Sequence, residues 1–151
     1  MKTFFLAVFL SVFPLFGQIR VDKAGDGWDL KVDSAIVLIK EADTAKYSLL
    51  TSVCSNVSFW VSDFSSCDLE EGGGRIYIAA KDVKLNSVNN LASVLVHESL
   101  HIYFLKNKII LDPSKEENYC YRYELEFVNK LPNPEPWLKS HVIQQIENTQ
   151  K

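Results

Sequence analysis

Apolar residues recur at helical spacing from Trp28, through Val32, Ala35, Ile36 and Ile39, after a Gly25-Asp26-Gly27 turn that can open a helix. A shorter helical stretch carries Tyr47, Leu50 and Val53 and stops at Asn56. Val57, Phe59 and Val61 then alternate with Ser58, Trp60 and Ser62, the period of a short strand. Residues 65–74 hold three glycines without the Lys-Ser/Thr of a phosphate loop, so they are expected to be a connector. Arg75 to Ala80 predicts a second strand. Ser87 to Leu105 predicts a helix apolar almost all round, which belongs in the middle of the domain. Lys115 to about Lys130 predicts another helix, with Ser114 as its N-cap and Glu117 completing a capping box. A proline-rich break over 131–136 precedes a last helix marked by Trp137, Val142, Ile143 and Ile146.

With 151 residues, 47% of them hydrophobic and 23% charged, the chain is one globular domain with enough length for a core. A net charge of −3 and no basic cluster longer than Lys106-Asn107-Lys108 exclude nucleic acid as the expected partner.

Residues 1–17 change the expected address. One lysine, an apolar run from Phe4 to Phe16 and a glycine form a secretory signal peptide, leaving 18–151 as a single domain. As a helix the apolar run would reach only about 20 Å, short of a bilayer's hydrocarbon core. The expectation is a secreted or periplasmic protein with no stable membrane anchor after signal cleavage. In an oxidising compartment Cys54 and Cys67 are candidates for a disulfide, with Cys120 left over, expected to be a small apolar residue rather than a thiolate metal ligand.

The chemistry sits in the central helix. His97-Glu98-Ser99-Leu100-His101 is an HExxH pattern, and at 100° per residue its histidines lie only about 40° apart, one turn separated. Both imidazoles can then reach one Zn2+, and Glu98 beside them is placed as general base toward a metal-activated water. Two histidines and a glutamate on an apolar helix would otherwise carry a desolvation cost of several kcal/mol, an order of magnitude that a bound metal offsets. The metzincin pattern would need a glycine and a histidine where Phe104 and Asn107 stand.

Over about residues 75–128 the sequence resembles the gluzincin metallopeptidases, and in its compact layout the minigluzincins. There a glutamate on the helix after the HExxH helix completes the metal site, often within Glu-x-x-Ala-Asp. Glu117-Asn118-Tyr119-Cys120-Tyr121 matches the first position and has a small residue at the fourth; Tyr121 replaces the aspartate. The resemblance implies a small α+β zincin-like domain with a short sheet on the HExxH helix, and His97, His101 and Glu117 as zinc ligands. Glu124 is the alternative third ligand and Glu116 a weaker one. The resemblance further implies a peptide substrate laid along the free edge of the Arg75–Ala80 strand. Tyr103, Tyr121, Tyr123 and His141 have the chemistry of an oxyanion donor, Tyr121, Tyr123 and His141 being the candidates. The expected function is a zinc metallopeptidase. The alternatives are a non-catalytic accessory protein stabilised by zinc, or a zinc amidase acting on a cell-wall crosslink.

Overall fold

The structure, a computed structural model, describes residues 18–80 and 87–150, so the expected signal peptide lies outside the described residues. The fold is α+β. Strand β1 (Arg20–Val21) leads through a 3-10 turn (Gly25–Gly27) into α1 (Trp28–Ala42) and α2 (Thr44–Val53). Then come β2 (Cys54–Trp60), β3 (Ser66–Glu70), β4 (Gly73–Ala79), α3 (Val88–Lys106), α4 (Pro113–Val128) and α5 (Pro136–Asn148). No described helix is long and apolar enough to cross a membrane.

Local chemistry sets the boundaries. Asp43 ends α1 in an extended conformation, and its carboxylate accepts from the Ala45 and Lys46 amides to start α2. Ser87 caps α3 by accepting from the Asn90 amide. At α4 the cap is Asp112, which accepts from the Ser114 amide, and not Ser114 as expected. Pro113 fits the first helical position because its missing N–H has no partner to lose there.

The sheet order is β1-β2-β4-β3, with β1, β2 and β4 parallel and β3 antiparallel along β4. The connector expected over 65–74 is therefore a strand and a tight turn: Glu70 pairs with Gly73, and Gly72 makes the bend at φ +97°, a backbone state open to glycine. β3 also takes the edge expected to be free on the Arg75–Ala80 strand. The expected Cys54–Cys67 disulfide does not form, because β4 separates their strands. Two strand spacings put them roughly 10 Å apart, beyond the about 7 Å that a disulfide spans. The Cys54 thiol donates instead to the Asn56 carbonyl.

Val57, Ile76 and Ile78 meet Val32, Ala35 and Ile39 of α1 and Leu91, Leu95, Val96 and Ile102 of α3 in one core, which Phe127, Leu138 and Val142 extend to α4 and α5. α3 is held from all sides, as its all-round apolar sequence requires. At Gly74 a side chain would collide with Ile102 of α3 and with the Val53 carbonyl. Gly74→Ala is expected to cost about 1–3 kcal/mol, read as a lower midpoint in chemical denaturation. An unchanged midpoint would contradict this close approach of β4 to α3.

Candidate metal centre

The turn from α3 into α4 makes an antiparallel pair, so residues late in α3 face residues early in α4. His97 and His101 point the same way, with ring centroids 5.0 Å apart and their Nε2 atoms 3.2 Å apart. Glu117 of α4 faces that gap. Its Oε2 lies 3.5 Å from His97 Nε2 and its Oε1 lies 3.5 Å from His101 Nε2. Ligands bonded at 2.0–2.1 Å to a tetrahedral cation stand about 3.3 Å from one another, so two nitrogens and a carboxylate at these separations fit an ion between them.

The other ring nitrogens are also committed. His97 Nδ1 is 3.1 Å from Glu124 Oε2, and His101 Nδ1 is 2.7 Å from Glu116 Oε1. With Nδ1–H donating to a carboxylate, each imidazole turns its Nε2 lone pair toward the shared gap, which is how a supporting carboxylate orients a metal-binding histidine. Glu124, the alternative third ligand, is thus behind a ring and not between the two. The helix geometry explains this: Glu117 stands opposite the gap, whereas Glu124, two turns further along α4, meets the far side of His97.

Burial works to lower the His97 pKa, but its hydrogen bonds to Glu117 and Glu124 and the charges of Glu124 and Glu98 raise it to about 10. The hydrogen bond to His97 holds Glu117 below the ordinary carboxylate range. Such a pair of imidazolium and carboxylate is the proton-bearing equivalent of a bound cation, which would displace the proton from Nε2. A buried thiol, Cys120 Sγ, also lies within 4.8 Å of a nitrogen on each ring. Burial, together with the neighbouring Glu117 and Glu116 charges, pushes that thiol well above its usual range, so it is protonated where Glu117 is already anionic. Glu117 is the ready donor, and a thiol ligand would first have to lose its proton.

Glu98 follows His97 on the helix and lies in the same cavity, of about 600 Å³, as both histidines, Glu117 and Tyr121. Burial raises its pKa, while the charges of His97 and His101 pull it down. Cys67 of β3 lines the cavity too. Of the expected oxyanion donors, Tyr121 packs its ring 4.5 Å from the His97 ring, and His141 lines an adjoining cavity with His97 and Glu98. Tyr123 points elsewhere. Two residues beyond Tyr121 it is about 200° around the helix, and its ring lies beneath Lys46 Nζ, 3.1 Å from the centroid. The contact of Glu116 with His101 escapes the sequence, whose one signal for it is the short α3–α4 turn that sets early α4 against late α3.

Glu124→Gln keeps an acceptor for His97 Nδ1–H but removes the charge. It is expected to weaken zinc binding by about 10–100-fold in a competitive chelator titration. An unchanged affinity would contradict the supporting role.

No protein-family model matches this chain, and no curated protein matches it in sequence.

Proposed function

We propose that this chain is an exported zinc-dependent metallopeptidase that hydrolyses peptide bonds, with Glu98 as general base. One observation carries the proposal: His97 Nε2, His101 Nε2 and the Glu117 carboxylate converge within 3.5 Å, and Glu98 shares their open cavity. When bound, the cation supplies Lewis-acid polarisation of a carbonyl and makes a water acidic near neutral pH.

The remaining work falls to the chain's own groups. His97, His101 and Glu117 hold the ion, and Glu124 and Glu116 fix the two rings. Glu98 accepts the water proton and returns it to the leaving amine, a role suited to a carboxylate whose pKa burial has raised. Tyr121 and His141 are the hydroxyl and ring donors that face the same space. The outer edge of β3, which has no strand partner among the described residues, offers main-chain groups to an extended substrate. A base beside three protein ligands favours catalysis over a structural role, since structural zinc sites close with four protein ligands.

Incubation of the purified mature protein with a mixed peptide library is the test. Cleavage that a chelator abolishes and added zinc restores is the expected result. Stoichiometric zinc with no cleaved peptide would refute the peptidase.

A further inference from the structure

The cavity over the metal centre adjoins a second one of about 470 Å³, and the two share Phe64, Ser65, His97, Glu98, Tyr121 and Gln145. Together they make a groove that passes the proposed reaction centre on both sides. Glu116 and Glu117 line one lobe, Asp63 and Glu124 the other, and Glu98 both. No lysine or arginine is among the described residues that line either lobe. A divalent cation offsets the charges of Glu98 and Glu117, and Glu116 and Glu124 then remain as two net negative charges behind the histidine rings. The chain's own formal charge is −3 and a bound divalent cation makes it −1, so the groove concentrates its acidity. Low-dielectric walls strengthen such a field, and it falls off over about 10 Å in ordinary salt.

Phe64 is a second, independent feature. It precedes β3, lines both lobes and is 66% exposed as a residue, an unusual state for phenylalanine. Trp60 lies against it nearly perpendicular, with centroids 6.2 Å apart and planes at 86°. An exposed aromatic face inside an anionic groove is the surface that a cationic side chain stacks on. The described lining offers a peptide's terminal carboxylate no lysine or arginine to pair with.

Resting on the metallopeptidase reading above, we infer that the groove selects internal peptide segments with a lysine or arginine next to the scissile bond, that side chain lying on Phe64 in the field of Glu116 and Glu124. The aliphatic stem packs on the ring while the charged head stays in the anionic groove.

Binding and turnover separate this inference from the reading it rests on. Three fluorescein-labelled peptides, matched except for arginine, norleucine or glutamate at that position, are titrated into zinc-loaded Glu98→Gln protein, and kcat/KM is compared on wild type. The arginine peptide is expected to bind about tenfold tighter than the norleucine peptide at low ionic strength, with the gap narrowing in high salt. The glutamate peptide is expected to bind weakest. Phe64→Leu is expected to take about two- to fivefold from the arginine peptide and less from the norleucine peptide, whose stem meets the same ring but brings no charge to its face. Equal binding of all three, tighter binding of the glutamate peptide, no binding, or a Phe64→Leu loss shared equally by the neutral peptide would each overturn the inference. Charge-selective binding without cleavage by wild type would uphold the groove's selection of a basic side chain and remove the peptidase.

Discussion

Glu98→Gln is expected to reduce peptide hydrolysis by about a hundred- to ten-thousand-fold while metal content and folding stay as in the unchanged protein. The substitution keeps size and shape, so the α3 packing that holds His97 and His101 is undisturbed. It removes one capacity, that of accepting a proton beside the metal centre. Glu98 is buried, with Cys67 on the β3 side and the two histidines on the other, and the amide fits that space without a desolvated charge. Steady-state kinetics on a peptide cleaved by wild type, together with metal analysis of the same preparation, checks both halves. Full activity would remove Glu98 from the chemistry. Lost metal would make it part of the binding site.

Glu117→Ala is expected to have the second large effect, on stability linked to metal. The unchanged protein at a hundredfold excess of free zinc over its dissociation constant gains about 2.7 kcal/mol, which for a domain of this size raises the unfolding midpoint by roughly 8 °C. Without Glu117 two nitrogens face the ion with no carboxylate opposite them, and the loss of affinity should exceed the about 10–100-fold that a supporting group contributes. The zinc-induced rise then disappears at the same zinc concentration. Thermal scans with and without zinc measure it. A rise that survives in Glu117→Ala and vanishes in Cys120→Ser would transfer the third position to the thiol.

The centre of this site is legible in the sequence because its determinants are local. HExxH on an all-round apolar helix forces two rings onto one face of a buried rod, and the short link from Asn107 to Asp112 returns α4 antiparallel to bring Glu117 opposite them. The residues around it are set by tertiary partners. β3 is polar and half exposed, so nothing in Ser-Ser-Cys-Asp-Leu-Glu alternates strongly enough to reveal a strand; its pairing with β4 makes it one. The Cys54–Cys67 expectation fails on strand order, which chain separation does not encode. Glu124 shares a helical face with Glu117, but which atom of His97 it meets depends on how α3 and α4 are offset along their axes. Tyr123 is the exception, since helical phase alone separates it from Tyr121 and turns it toward Lys46 of α2.

X-ray absorption at the zinc edge, on protein loaded with one equivalent of zinc, tests the shared-cation claim most directly. The expected spectrum has nitrogen and oxygen neighbours at about 2.0–2.1 Å, with the outer-shell pattern of two imidazoles. A sulfur neighbour at about 2.3 Å, or no imidazole contribution, would contradict coordination by His97, His101 and Glu117.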